Sequence, residues 1–356
     1  MEEDVIIEKN HLIEVLGDDS VPERIKYIIQ YNPFVKSENY VAMIRGMVNG
    51  KEGGRTYPYP SIIIINNEPV KAYTGSTFSV DKEYRKYMLG LMIPEEAVQL
   101  SENGITYGAG LSRDARPIYI KYLRSKYFSL PRFIYLRNAR PLLESKLGNT
   151  MSKVLTPICN LVLSTIHRLH LLKTKLKYID YEVIEAVDEK DYKEVEKIIL
   201  NDKHKCQEEH KKEWFKWVLN APISHHGNYQ KLFVVYQKKQ PVAFWMIKVR
   251  YAEDIVGKFK KIYVGTITEW GTVDHKIICD ADVMSIALHY FAHYVDVIQT
   301  FTDIKENVSQ WPFLKKEVGE SNFFINVAKA FKGKYIGYEN ASNWRLRPAM
   351  GDTMFD

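Results

Sequence analysis

At 356 residues, with 46% hydrophobic and 26% charged side chains, the chain can fill two domains of the usual size of about 100–200 residues, each with its own core. Its net charge is +6, from 50 basic and 44 acidic residues, and the signs alternate along the chain. That argues against a dedicated nucleic-acid binder, which would cluster its Lys and Arg, but leaves room for a local pocket for an acidic cofactor.

Three widely spaced cysteines, Cys159, Cys206 and Cys279, occur without a CxxC, and so suggest neither a disulfide framework nor a cysteine zinc site. The acidic start, MEEDVIIEKN, has no apolar signal region. The longest apolar stretch, Val154–Leu172, is interrupted by Pro157, Asn160, His167, Arg168 and His170, whereas a membrane span needs about 20 nearly unbroken apolar residues. The expectation is a cytoplasmic, enzyme-like protein with no membrane span; its oligomeric state is not readable. An aromatic fraction of 13%, with 24 Tyr, points to many strands.

In chain order, a short apolar run at Val5–Ile7 precedes a helix that starts at Val21-Pro22-Glu23-Arg24 and ends near Asn32-Pro33. Ser61–Tyr73 carries two β-rich runs around Asn66-Asn67, the pattern of a hairpin. The stretch Pro69–Gly90 then predicts a strand, a turn and a helix with Arg85 to Gly90 in its first turn, running to about Leu100. The unpaired N–H groups and the dipole of a helix start suit a pyrophosphate. Gly104 breaks that helix, Ile105-Thr106-Tyr107 begins a strand, Asp114–Ser125 is a short helix, and Phe133–Leu136 closes the first half.

Residues 141–178 predict a helical connector with an apolar stripe at Val154, Ile158, Leu161, Val162, Ile166, Leu169 and Leu172. Burial between two domains is the preferred reading; the alternative, a helix lying on a membrane surface, is raised by Lys173, Lys175 and Lys177. The pattern then restarts, with a strand at Tyr181–Ala186, helices at Glu189–Leu200 and Glu209–Leu219, and a hairpin at Leu232–Val249. Setting Pro69-Val70 on Pro241-Val242 places Tyr263–Val273 on Ala72–Val80, Ala281–Tyr294 on the first helix, and Val295–Asp303 on the strand after it. This is a duplicated α+β unit whose repeat is too long for a solenoid.

The order hairpin, strand, VDKEYRKYMLG, strand, SRDARPIYIKY resembles the GNAT (Gcn5-related) acyl-CoA N-acyltransferase superfamily, and the duplication is similar to its tandem members, among them acyltransferases of bacterial surface-sugar pathways. The family pattern V-x-P-x-Y-R-x-x-G-x-G is matched by Val80, Tyr84, Arg85 and Gly90. Its N-x-x-A-x-x-x-Y is matched by Ala115 and Tyr119, with Arg113 or Asp114 near the Asn. Met88 replaces the first glycine of the loop, and the second half has Lys276-Ile277-Ile278-Cys279-Asp280 in place of the glycine pattern.

The resemblance implies two GNAT-like domains, at 1–140 and 179–356, each a mixed, mostly antiparallel sheet flanked by helices, joined by the connector at 141–178. It implies acetyl-CoA or another acyl-CoA as cosubstrate, held in the first half by Ser79, Val80, Arg85, Lys86, Tyr87, Met88, Leu89 and Gly90. It also implies Tyr119 as the acid that protonates the leaving thiolate, because the family Tyr at this position lies near the CoA sulfur. For the base, Glu269 and His275 in GTITEWGTVDH are the candidates; the carboxyl beside apolar Trp270 has the setting that raises a pKa, and a solvated strand-edge charge is the plainer reading of Glu269.

The expected activity is acyl transfer, of acetyl above all, to a small amine such as an amino sugar or amino acid, in the cleft between the halves. The alternatives are a Fem-type aminoacyl-tRNA-dependent transferase and a non-catalytic binding module. No metal is expected: His204, Cys206 and His210, or His289 with His293, lack the remaining ligands of a site. The terminal NWRLRPAMGDTMFD, with Trp344, Arg345, Arg347 and Asp352, either closes over an acidic substrate or packs on the second domain.

Overall fold

The computed structural model describes all residues except 1–3, 38, 223–227, 253–261, 292–294, 303–313, 317–321, 352–353 and 356, and the backbone alone at 314–316. Asp352 and His293 therefore lie outside the described residues. The elements run β1 (Val5–His11), α1 (Leu12–Gly17), α2 (Glu23–Gln30), β2 (Val41–Val48), β3 (Lys51–Ile65), β4 (Glu68–Val80), α3 (Leu89–Gln99), β5 (Ile105–Ala109), β6 (Lys126–Ser129), β7 (Arg132–Leu136) and α4 (Arg140–Lys177). They continue as β8 (Tyr181–Glu185), α5 (Glu189–Leu200), β9 (Cys206–Glu208), α6 (Lys212–Leu219), β10 (Tyr229–Gln237), β11 (Gln240–Ala252), β12 (Ile262–Thr272), α7 (Asp280–Phe291), β13 (Val297–Phe301), β14 (Leu314–Lys316) and β15 (Asn322–Val327).

Three tight turns set the hairpins. Asn49 and Gly50, Asn66 and Asn67, and Lys238 and Lys239 all take positive φ, the pairing that matches the twist of two-residue hairpin turns. The Asn49-Gly50 turn joins β2 to β3, so β3 begins at Lys51, ten residues before the strand expected at Ser61.

The chain divides into two units, and the division is not sequential. The first unit comprises Met1–Leu130, Lys203–Pro222 and Val318–Asp356; the second comprises Pro131–Asp202 and Ile223–Glu317. This corrects the expected boundaries at 140 and 179. The first sheet has the order β1-β2-β3-β4-β5-β15-β6, with β9 also on β3, and the second has β14-β7-β13-β12-β11-β10-β8. β15 pairs antiparallel with β5 and β6, Ile325 facing Tyr107 and Lys126, so a late strand completes the first sheet. β7, expected to close the first half, instead pairs with β13 of the second, Tyr135 opposite Ile298.

The duplicated plan is present. Each sheet is antiparallel except for one parallel pair bridged by a helix: β4 and β5 around α3, β12 and β13 around α7. By that order β12 answers to β4 and β11 to β3. Pro69 on β4 and Pro241 on β11 are therefore not equivalent positions, which corrects the alignment of the two prolines while keeping the strand–helix–strand match that follows it.

In the second unit, Phe233 stacks on Trp245 at 4.3 Å, and Trp270, Met284 and Phe291 complete a core cluster between sheet and α7. α4 is interrupted at Gly148 (φ +76) and pins its last turn to α7, where Lys177 Nζ donates to Asp282 Oδ1 at 2.7 Å and the Tyr178 hydroxyl donates to the same oxygen. Its apolar stripe is exposed, not buried as expected; the buried positions are Pro141, Ser152, His167 and Thr174. No helix among the described residues is long and apolar enough to cross a membrane.

The strand exchange makes a direct prediction. Ile325→Ala, at a fully buried site in β15, should cost about 2–5 kcal/mol. Urea unfolding followed through first-unit tryptophans, such as Trp214 and Trp344, reads that loss.

Candidate active site

The loop after β4 is shaped by packing beneath it. α3 and the preceding 3-10 turn, Lys82–Tyr87, lie on β2 and β3 at two positions with no side chain. A Cβ on Gly46 would fall 2.7 Å from Leu89 Cδ2, and one on Gly53 would fall 2.6 Å from the Tyr84 ring. Leu89 and Tyr84 therefore drop onto the sheet where only glycine leaves space. Leu89, with Ile93, joins Ile44 and Val48 in a buried cluster.

Between the 3-10 turn and α3 stands Met88, with φ +60 and an exposed side chain. It takes the left-handed conformation that glycine adopts freely, at a cost of roughly 1–2 kcal/mol for a side-chain-bearing residue. The backbone thus follows a glycine path without the glycine, and the Met88 side chain projects outward instead of crowding the loop.

The predicted cofactor residues accordingly fall in three places. Ser79 and Val80 end β4; Arg85, Lys86 and Tyr87 lie in the 3-10 turn, not in the helix's first turn as expected; Leu89 and Gly90 open α3. No side chain caps α3; Leu91 N–H already donates to Met88 O at 2.8 Å, and the N–H groups of Leu89 and Gly90 are those offered to an anion. A Cβ on Gly90 would meet nothing nearer than Ile118 Cδ1 at 3.5 Å, so this turn is open. Arg85 lies 3.6 Å from Asp114 and its Nε donates to Val80 O at 3.5 Å, while Lys86 sits over the Tyr87 ring at 4.6 Å. Two cations thus flank the turn. Leu89 can offer only its backbone, because its side chain is core.

Beside the loop the sheet splits. β4 pairs with β5 only at Tyr73–Thr106 and Thr74–Tyr107, then runs on to Val80 without it. A narrow crevice of about 20 Å³ lies there, lined by Thr74, Gly75, Pro94, Thr106, Tyr107, Tyr119 and Phe324, among others. Tyr119 stands in a π-turn, Ile118–Tyr122, shorter than the helix expected at Asp114–Ser125; its ring lies 4.5 Å from Phe324 and 6.4 Å from Phe78.

A buried polar cluster adjoins this crevice and went unread in the sequence. Tyr107 donates to Ser61 Oγ at 2.8 Å. Burial, with the nearby Glu208 charge, pushes its phenol well above the ordinary value, so it stays protonated. Glu208 accepts from Gly351 N–H at 3.0 Å and lies 3.5 Å from His210 Nε2, and the His210 ring stacks on Trp214 at 3.7 Å. The signal was present: Glu208 and His210 at i, i+2 share one face of an extended segment. Cys206, next to them, has its thiol pushed up to about 11 by burial. Among the described residues no group of three His, Cys, Asp or Glu side chains could hold a metal ion.

The terminal segment packs in the first unit, not on the second domain. Trp344 bridges to Cys206, Arg345 N–H donates to Cys206 O at 2.9 Å, and Arg345 and Arg347 are buried. Gly351 (φ +72) brings the tail against Thr74 and Ala109, at the mouth of the strand split. Glu269 and His275 belong to the second unit and do not line the crevice. Glu269 is fully buried on β12, where its Oε1 accepts from Trp270 N–H at 3.0 Å, so it is no solvated edge charge; His275 stands in an exposed turn.

No family model matches the sequence, and no curated protein sequence matches it at a significant level. Solved structures do match. A GCN5-related N-acetyltransferase from Anabaena variabilis is 8% identical with TM-score 0.55, over 92% of this chain and 74% of that one. N-myristoyltransferase of Saccharomyces cerevisiae with bound myristoyl-CoA is 11% identical with TM-score 0.55, over 90% and 78%. A conserved protein of unknown function from Enterococcus faecalis, described as a probable N-acyltransferase, is 10% identical with TM-score 0.53, over 92% and 73%. The fold is that of the GNAT N-acyltransferases. Within it, the split between β4 and β5 and the open start of α3 are the features where sheet and helix leave backbone groups for a ligand.

Gly46→Val should test how the loop after β4 is seated. Forcing a side chain against Leu89 should cost about 1–3 kcal/mol by overpacking, read by denaturant unfolding, whereas Met88→Gly should be tolerated without loss.

Proposed function

We propose that the protein is an acyl-CoA-dependent N-acyltransferase that moves a short acyl group, acetyl above all, to a small amine. The observation that carries this is the conjunction, in one unit, of an uncapped α3 start flanked by Arg85 and Lys86 with a strand split lined by Tyr119. The α3 N–H groups and the two cations would take the pyrophosphate. The edge of β4 beyond Thr74 suits an extended chain bearing amides, which pairs with a strand as another strand would. The crevice is narrow, about 20 Å³, which favours a small acyl group such as acetyl.

The cosubstrate supplies a thioester carbonyl already activated for attack by an amine. Tyr119 is assigned as the acid that returns a proton to the departing sulfur. The proton lost by the amine needs an acceptor, and Glu208, the carboxylate whose charge acts on Tyr107 at the crevice wall, is assigned that role. His210 Nε2 stands 3.5 Å from that carboxylate.

The experiment is an assay of CoA thiol release against a panel of small amines, amino sugars and amino acids included. Tyr119→Phe should lower kcat about a hundredfold or more with acetyl-CoA affinity unchanged. Glu208→Gln, which can still accept from Gly351, should do likewise. Thiol release by neither the wild type nor any amine tested would favour a non-catalytic binding module built on this fold.

A further inference from the structure

Beyond Gly148, α4 carries a continuous apolar face that none of the described residues covers. Val154, Ile158, Leu161, Leu169, Leu172 and Leu176 are between 57% and 69% exposed. Their spacing of three and four residues, with exposed Thr165 filling the gap, puts them on one side of the helix over roughly 30 Å. The opposite side is the one fixed to the protein: Ser152, His167 and Thr174 are buried, His167 Nδ1 lies 2.7 Å from the Tyr135 hydroxyl, and Lys177 holds Asp282. The face therefore points away from its own core by construction.

The charges bordering it decide the partner. Lys153, Arg168 and Lys175 run along one border and Lys173 along the other, and no Asp or Glu occurs between positions 145 and 179. A second copy of the chain would bring these one-signed borders together without an acidic counterpart. A span across a bilayer is ruled out by the polar anchored side and by the helix's limited apolar length. An apolar stripe rimmed by Lys and Arg on both flanks matches a helix lying in the plane of a lipid interface, its leucines among the acyl chains and its cations at the headgroups.

We propose that this face of α4 seats the protein on the surface of an anionic lipid bilayer. The proposal is independent of the acyltransferase assignment, since none of these residues belongs to the loop or crevice. The test is sedimentation of the full chain with vesicles of phosphatidylcholine alone and of phosphatidylcholine containing phosphatidylglycerol. Binding should require phosphatidylglycerol and weaken with added salt.

The double variants Leu161→Glu with Leu172→Glu, and Lys153→Glu with Lys175→Glu, should each weaken it more than about tenfold, with melting temperature unchanged because all four side chains are exposed. No sedimentation with the anionic vesicles, or sedimentation that both variants leave intact, overturns the proposal. So does a dimer in sedimentation equilibrium that Leu161→Glu with Leu172→Glu dissociates, which would assign the face to a second copy.

Discussion

The descent of Leu89 and Tyr84 onto Gly46 and Gly53 fixes the first unit's functional geometry. Without side chains at those two strand positions, the turn after β4 lies flat on the sheet and α3 starts directly at the edge of the strand split. Everything proposed for the site follows from that placement. The open helix start, the two cations and the crevice are neighbours because the helix has no space to begin elsewhere. The strained left-handed Met88 is tolerated for the same reason, since the buried Leu89 on one side and the partly buried Tyr84 and Tyr87 on the other hold the backbone to this path.

The second constraint is topological. A parallel strand pair must be bridged by a crossover, here α3 or α7, and the strand that pairs next is not set by sequence adjacency. β15 comes from the end of the chain to pair with β5, and β7 leaves the first half to pair with β13. The terminal segment follows β15 into the first unit, where Glu208 receives its Gly351 N–H. The C-terminal residues are therefore part of the first unit's structure and stand at the mouth of the strand split.

Local signals in the sequence carried the elements well and the pairings poorly. The Asn66-Asn67 hairpin, α5 and the strand–helix–strand order of both halves could be read from turn residues and periodicity. The β2–β3 hairpin was missed although Asn49-Gly50 marks it, and the exchange of β7 and β15 leaves no local trace, since each strand looks alike whichever sheet receives it. At the site, the pattern pointed to Arg85, Lys86 and Gly90, but the glycines that seat the loop, Gly46 under Leu89 and Gly53 under Tyr84, lie 43 and 31 residues upstream and become meaningful only when the strands fold against α3. His210 was considered only as a metal ligand, with His204 and Cys206, and Glu208 was not singled out. The α4 stripe was legible as a stripe; its exposure was not, because an apolar face reads the same whether protein or lipid covers it.

The central claim is that the turn after β4 and the start of α3 form an acyl-CoA site. It is tested most directly by the melting temperature of the protein with and without acetyl-CoA, for the wild type, Arg85→Ala and Gly90→Trp. At 100 times its dissociation constant the ligand should stabilise the wild type by about 2.7 kcal/mol, a visible upward shift, and neither variant should respond. An unchanged wild-type melting curve at millimolar acetyl-CoA, or a shift that both variants retain, would contradict the account.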